Sequence, residues 1–536
     1  MADFDLIICG AGHNALILAG YLAKSGQRVL VLERRQNVGG GSISEEITLP
    51  GFLHNTHSAF HRFVPDLPWY KDLGLERFGL RYFQADVQNL LPTSDGRCIC
   101  IHRDLETTVK KLERFAPRDA KAYAEVFPRW REMTAKYLLP EMYSPPMAEA
   151  DKFALWERTE LGRELVRLTR MTAIDVVRET FEDPHVQALC LYYVAVKGWD
   201  WDDPGLGFQT VMSTVGSERA GVCVGGSGQL SNTLLSALIA NGGIAFTNRE
   251  VAEIIVESGR AVGVRTQLGE EFRAAKGVVS ALNPHQTFLE LMDGATHLGP
   301  ALAAQIEGYQ YSRWKLFSGH LALDEPPVYR AAEYDPDCQR AVNLCIGYES
   351  LADFEAHLEA VLSGSPPETP GMQCGVFTQF DSTQAPAGKH TALVWQVAPY
   401  DLADGGPEAW DGIKDEYLDR CIARWREYAP NLDGGNILGK ATYTPYDIAR
   451  SVHTMREADF NAGRQCRSQV LENRPVPSMA QYKAPIEGLY LTGSSTHPGG
   501  LLTGGSGYNA ALAIHRDLGL DVWWDPPELE RLWGAA

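Results

Sequence analysis

Short apolar runs and longer periodic ones alternate from the start of the chain. Leu6, Ile7 and Ile8 are consecutive apolar residues, the pattern of a strand buried on both faces, and Gly10-Ala11-Gly12 ends the run in a turn. Ala15, Leu18, Ala19 and Leu22 then recur at i, i+3, i+4 and i+7. This predicts a helix with one apolar face that stops at Ser25-Gly26, where glycine takes the left-handed cap. A second apolar run, Val29 to Leu32, ends at Glu33. Strand, helix and strand in this order predict a βαβ opening.

Further along, Leu105, Val109 and Leu112 share a helical face. The stretch from Lys152 to Val196 is long, glycine-poor and charged on one side, so it is expected to be a helical cover over a substrate site. From Gly242 the pattern changes to short alternating runs, IAFTN, VAEIIV, AVGVRT and EFRA, with glycine turns at Gly259-Arg260 and Gly269-Glu270; these predict a β-meander. Val278, Val279 and Ser280 then read as a return to the parallel sheet. Between Pro300 and Pro485, strand-like runs (LFSGHLAL, CGVFTQF, TALVWQV) mix with a helix, LADFEAHLEAVL, and SGSPPETPG reads as an exposed loop.

Composition narrows the function classes. With 536 residues, 45% hydrophobic and 22% charged, the chain buries a large core in two or more domains. A net charge of −19 repels a phosphate backbone, which excludes nucleic acid as a partner. No basic, apolar leader opens the chain, and no run approaches the ~18 apolar residues of a membrane span. A cytoplasmic protein is expected. Trp523, Trp524 and Trp533 either pack onto the body or mark a peripheral membrane or subunit contact. Ten cysteines without CxxC pairs point to reduced thiols, and Cys98 and Cys100 stand too close in sequence for an unstrained disulfide.

The turn Gly10-Ala11-Gly12-His13-Asn14-Ala15 has the GxGxxA form of a dinucleotide fingerprint. Gly10 makes the tight turn, Gly12 lets the backbone approach a pyrophosphate, and Ala15 lets the helix pack on the strand. The helix N-terminus then presents free N–H groups to the phosphates, and Glu33 stands where a carboxylate accepts hydrogen bonds from a ribose diol. The motif runs on as ERRQNVGGGS. Its extra Gly39, Gly40 and Gly41 imply a ligand longer than a nicotinamide cofactor.

At this point the chain resembles the FAD-dependent phytoene desaturase and amine oxidase superfamily, on three anchors. They are the opening motif, VGGSGQLSNTLLSALIANGGIAFTNREVAEIIV from Val224, and LYLTGSST followed by HPGGLLTGGSGYNAALA. GHNALILAGYLAKSGQRVLVLERR and the final glycine run are most similar to the phytoene desaturase-related branch, which includes the pyridine nucleotide-disulfide oxidoreductase domain-containing proteins. The resemblance implies an α/β fold in which a Rossmann-like FAD-binding domain, a parallel sheet with a β-meander, is interleaved with an α+β substrate domain. The FAD-binding parts are expected at 1–104, 221–295 and 485–520, a helical cap at 105–220, the substrate domain at 296–484 and a tail at 521–536. It implies FAD contacts at Gly10, Gly12, His13, Asn14, Ala15, Glu33, Arg34, Gly39, Gly40, Gly41 and Ser42, at the backbone of Val251, and at Gly493, Ser494, Gly500, Leu501 and Leu502. Gly493, Gly499, Gly500, Gly504 and Gly505 are then expected to let the main chain lie against the isoalloxazine. A helix beginning near Ser506 would point its dipole at the N1/O2 edge. Two departures stand out: Ala15 where relatives often carry glycine, and Leu501-Leu502-Thr503 inside what is commonly a tighter glycine run.

Hydride transfer to flavin N5 often needs a base for the second proton. His54, His57 and His61 are spaced as on one side of a helix, and no carboxylate or cysteine completes a metal set with them. His497, Lys315 and His320 are further candidates; His57 and His497 are preferred as catalytic residues. No second GxGxxG and no CxxxxC pair occur, so reoxidation by oxygen or a quinone is expected in place of NAD(P)H or disulfide chemistry. Aromatic residues in LYYVAV and GWDWDD suggest an apolar small-molecule substrate. Three readings stay open: a dehydrogenase or desaturase, a redox-neutral flavin isomerase, and a lipid-binding protein without catalysis.

Overall fold

The computed structural model describes residues 3–534. Strands β1 (Phe4–Cys9) and β2 (Val29–Leu32) flank helix α1 (His13–Lys24) and pair in parallel, with Leu6 opposite Val29 and Cys9 opposite Leu32. Five strands form the parallel sheet, in the order Ile244–Phe246, β2, β1, Glu271–Ser280 and Leu489–Leu491. Leu6 to Cys9 are fully buried because helices or loops cover both faces of such a sheet. Glu271–Ser280 is one long strand with two jobs. Its first half closes an antiparallel meander with Arg260–Thr266 and Val251–Glu257, and its second half lies beside β1 in the parallel sheet. The run IAFTN departs from expectation. It forms no part of the meander but makes the parallel edge beside β2, since its partner is set by a crossover through helix Gly228–Ala240 and not by its neighbours in sequence.

α1 is buried from His13 to Ala23, on all sides and not on one face only. Gly228–Ala240 and Gly505–Asp517 pack against it on the sheet. The second contact is very close. A Cβ on Gly507 would stand 2.2 Å from the carbonyl oxygen of Asn14, so only glycine lets the two helices meet there.

A second, seven-stranded sheet runs Ile437–Tyr443, Lys315–Leu323, His390–Ala398, Met372–Gly375, Asn343–Ile346, Val87–Pro92 and Cys98–His102. It is antiparallel except between Asn343–Ile346 and Val87–Pro92. It thus takes two strands from upstream of residue 104. CGVFTQF is strand only to Gly375 and then turns into a short 3₁₀ helix, Phe377–Gln379. Helix Trp410–Arg426 covers one face through Trp410, Leu418 and Trp425. A layer of helices from Leu105 to Ser217 builds a further core around Phe127, Leu165 and Tyr193.

The tail packs onto the body. Trp523 stacks on Tyr21 at 5.1 Å, Trp524 is 8% exposed, and Trp533 is 1% exposed with its Nε1–H donating to the Lys136 carbonyl at 2.9 Å. All ten cysteines are free and buried, with Cys98 and Cys100 Sγ atoms 3.9 Å apart. Among the described residues no helix is long and apolar enough to cross a membrane.

Several polar contacts fasten the helical layer to the second sheet, among them Tyr192 OH donating to Asn343 Oδ1 at 2.8 Å and an ion pair of His185. His185, in the first turn of Pro184–Ala195, lies 3.2 Å from Asp183 and 3.5 Å from Glu349. The hydrogen bonds to Asp183 and Glu349 raise its pKa from the ordinary 6.5 to about 9. A raised histidine pKa adds stability that is complete below the unfolded value and lost as pH rises through the folded one. His185→Asn should therefore cost about 1–2 kcal/mol at pH 6, after solvent screening, and almost nothing at pH 10, read from denaturant midpoints at the two pH values. Thermal melts check the helix contact. Gly507→Ala should destabilise by about 2–3 kcal/mol despite alanine's better helix propensity. By contrast Gly412→Ala, whose Cβ meets nothing within 4 Å in helix Trp410–Arg426, should stabilise by about 0.5–1 kcal/mol.

Candidate active site

β1 ends at Gly10, which has φ of 93°, a conformation open to glycine, and its N–H donates to the Leu32 carbonyl at 2.8 Å. Gly12 is the N-cap of α1 and has no side chain to satisfy the first amides, so those of His13 and Asn14 point outward without intrahelical partners. Gly39 closes over this turn, its N–H donating to the Ala11 carbonyl at 2.8 Å. The reasons for the glycines here differ. A Cβ on Gly39 would strike Ser42 and Ser231 and one on Gly41 would strike Met455, whereas a Cβ on Gly12 would meet no protein atom within 4 Å. Protein packing therefore does not explain Gly12, whose backbone is left open to the close approach of a ligand.

Glu33 follows β2 with its carboxylate already oriented: Oε2 accepts from the Ala11 amide at 2.9 Å and Oε1 from the Arg35 amide at 2.8 Å. Each oxygen keeps a lone pair for another donor. The main chain of Glu33 accepts from Arg249 N–H at 2.8 Å, which brings the start of Val251–Glu257 alongside. Arg34 donates from Nη2 to the Ser451 carbonyl at 2.7 Å.

From the far end of the chain, Leu489–Leu491 delivers Gly493 to the same edge of the sheet, and helix Gly505–Asp517 begins without a side-chain cap. The glycines of this segment are chiefly packing glycines, which corrects the expectation that all of them face a ring. Cβ atoms on Gly499, Gly500, Gly504 and Gly505 would collide with Gln465, Asn461, Trp69 and Met142 respectively, and one on Gly493 with Ala281. Buried Arg474 staples the loop beneath, donating to the carbonyls of Ser494, Asn461, Gly463 and Gln469.

These edges wall a chamber with ≈ 2430 Å³ of space free of protein atoms, part of it open to solvent. Of the residues expected from sequence, Gly12, His13, Asn14, Ala15, Gly39, Gly40, Gly41, Ser42, Gly493, Ser494, Gly500, Leu501 and Leu502 line it, as do His57 and His497. Gly10, Glu33, Arg34 and Val251 lie outside its wall, at the strand ends just described. The uncapped amides, the bare Gly12 backbone and the oriented Glu33 together fit a diphosphate-bearing dinucleotide.

The three early histidines do not share a helix. His54 and His61 sit in two short strands, paired to Glu45 and Gly221, and His57 lies between them. Long-range pairing overrides their helical spacing. His54 is bound to Thr48 at 2.7 Å and His61 to Tyr82 at 2.8 Å; neither lines the chamber. Lys315 is ion-paired to Glu457 at 2.7 Å and His320 bonded to Ser318 at 2.7 Å, both outside the wall. His57 and His497 each keep an unpartnered Nδ1. His497 Nε2 donates to the Glu141 carbonyl at 3.0 Å, which fixes the proton on Nε2 and leaves Nδ1 an acceptor. Burial lowers the pKa of His497, and lowers that of His57 to about 4, so both rings are neutral near pH 7.

Sequence reasoning missed the remaining polar wall. Arg62, Lys197, Gln209 and Gln465 line the chamber beside Trp199, Trp314 and Trp395. A signal for Lys197 was present: a lone cation inside the aromatic run LYYVAVKGWDW.

The NAD(P)-binding Rossmann-like domain family matches residues 8–72. A limonene dehydrogenase subunit of Castellaniella defragrans is 33% identical over 98% of this chain and 96% of its own length. Pyridine nucleotide-disulfide oxidoreductase domain-containing protein 2 of Rattus norvegicus is 29% identical over 96% of this chain and 94% of its own. A redesigned putrescine oxidase superposes with a TM-score of 0.58 at 15% identity, covering 96% of this chain and 98% of that one, which establishes a shared fold. The chain therefore belongs, as an oxidoreductase, to the phytoene desaturase-related family that holds this limonene dehydrogenase and the pyridine nucleotide-disulfide oxidoreductase domain-containing proteins, and shares its fold with amine oxidases.

Proposed function

We propose that this chain is an FAD-dependent dehydrogenase or desaturase that oxidises a largely apolar small molecule and passes the electrons to oxygen or a quinone. The observation that carries the reading is Gly12, a backbone open to the chamber beside the uncapped start of α1. A relative named as a limonene dehydrogenase subunit supports the reaction class. FAD supplies the hydride acceptor when bound.

The chain's own residues do the rest. Amides of His13 and Asn14, with the α1 dipole, hold the diphosphate, and Glu33 accepts from the ribose diol. The N-terminus of Gly505–Asp517 favours negative charge at the chamber wall near Thr503. Trp199, Trp314 and Trp395 exclude water and take up the apolar body of the substrate. His497 Nδ1, unprotonated and unpartnered, accepts the substrate proton, with His57 as the second candidate.

Purified protein should be yellow and bind one FAD per chain, and substrate should bleach the flavin band with one equivalent of oxygen or quinone consumed per turnover. A colourless protein that FAD cannot reconstitute overturns the proposal. Conversion of substrate without acceptor consumption replaces it with a redox-neutral isomerase. Glu33→Ala should weaken FAD binding about 10–100-fold in a fluorescence titration of apoprotein. Because the His497 pKa is depressed by burial, the acid limb of the pH profile should fall below 6.5, the ordinary histidine value. His497→Gln should lower kcat about 100-fold or more with flavin content unchanged.

A further inference from the structure

Arg62 ends the short strand His61–Arg62, and Lys197 follows the last turn of helix Pro184–Ala195; both line the chamber. Neither has a carboxylate partner among the described residues. The Arg62 Nε and Nη2 atoms are inaccessible to solvent and make no hydrogen bond. Lys197, 6% exposed, donates from Nζ to Ser213 Oγ at 2.9 Å and to no acid. Other buried or half-buried cations of the protein are compensated. Lys152 is paired to Glu141 at 2.6 Å, Arg313 and Arg464 to Asp200 at 3.0 and 2.6 Å, and Arg474 is satisfied by carbonyls. An unpaired buried cation costs several kcal/mol, and two adjacent ones repel as well. A fold keeps such a pair where an anion comes to meet it.

We propose that Arg62 and Lys197 form an oxyanion subsite of the chamber, and that the substrate is an amphiphile: a carboxylate on an apolar carbon skeleton. This rests on the chamber being the substrate site of the flavin enzyme proposed above. Nε and Nη2 are the two nitrogens on one edge of the guanidinium, the edge that donates two parallel hydrogen bonds to a carboxylate, and because both are closed to solvent in this structure the ligand meets them as the Arg62 side chain turns toward the chamber. Lys197 adds a point charge to the same group. Burial and then the neighbouring guanidinium hold the pKa of its ammonium below the ordinary value, and an arriving anion opposes both effects. Phe63, Phe208, Met212 and Trp199 line the chamber with apolar surface for the skeleton, so the recognised molecule carries one charged end and a hydrocarbon remainder.

The test is calorimetric titration of the holoenzyme with geranate, cuminate and dodecanoate and with the three corresponding alcohols. At least one acid should bind about tenfold or more tightly than its alcohol, equivalent to about 1.4 kcal/mol. Arg62→Met should erase that preference while leaving alcohol affinity in place, Lys197→Met should reduce it, and Arg62→Lys should restore part of it. The Arg62→Met protein should melt at the same temperature as the parent or higher, because it loses an unpaired buried charge and keeps the chain length; a purely structural arginine would lower it. Acids binding no better than alcohols in the unmodified protein, or a preference that survives the double methionine variant, overturn the proposal. Flavin absorbance of the same samples scores the cofactor separately. Acid preference in a protein unable to hold FAD would refute the enzyme reading and leave the subsite standing.

Discussion

The contact between Gly507 and Asn14 sets the geometry on which the rest depends. Two helices from opposite ends of the chain meet there at backbone distance, and both begin without a side-chain cap. An uncapped N-terminus leaves amide donors and a partial positive charge that the protein itself does not neutralise. At Gly505–Asp517 part of this need is met locally, since the Gly505 amide donates to Thr503 Oγ1 at 3.4 Å, so the free donors at this edge of the sheet lie chiefly at the start of α1. Asn14 joins the two helices further, its Oδ1 standing 3.3 Å from the Gly507 amide. The chamber opens beside this junction because the strand ends of β1, Glu271–Ser280 and Leu489–Leu491 stop at the same level.

Around that junction the protein spends its polar groups unevenly. Glu33 is oriented by two main-chain amides and Arg474 by main-chain carbonyls, which holds the loops in place. The chamber-facing groups are left short: His57 and His497 at Nδ1, Arg62 at Nε and Nη2, Gln465 and Gln209 at Oε1. Each unmet hydrogen bond in a buried place costs about 1–3 kcal/mol, and a ligand in the chamber is placed to supply these partners. The same burial keeps the two histidines neutral, which suits an acceptor of protons and not a binder of anions. Anion recognition falls to Arg62, whose guanidinium stays charged in any surroundings.

What the sequence made legible is what local patterns decide. The run Leu6–Ile8, the turn through Gly12, the face of α1 and the carboxylate at Glu33 all lie within one βαβ unit, where neighbours in sequence are neighbours in space, and the parallel sheet follows from them. Pattern reading loses its grip where partners are remote. His54, His57 and His61 have helical spacing, but His54 pairs with Glu45 and His61 with Gly221 in short strands, so strand hydrogen bonds from a distance override it. IAFTN looks like the first strand of a meander, and a crossover carries it to β2 instead. The glycines from Gly499 to Gly505 signalled crowding correctly, but the crowding atoms, on Gln465, Asn461, Trp69 and Met142, could not be named from the segment alone.

Arg62 shows why the chemistry of the chamber was less visible than its cofactor edge. A nucleotide edge is built from backbone, and backbone needs leave glycines at readable intervals. A substrate wall is built from single side chains on different elements: Arg62 from a two-residue strand, Lys197 from a helix end, His497 from the loop before the last helix. Each of these has an ordinary explanation in its own segment, a surface arginine or a core histidine. Only their common burial, and the lack of a partner for each, separates them from such groups. Because those two properties arise from the whole fold, substrate recognition here is a property of tertiary structure, while the cofactor edge is a property of three short segments.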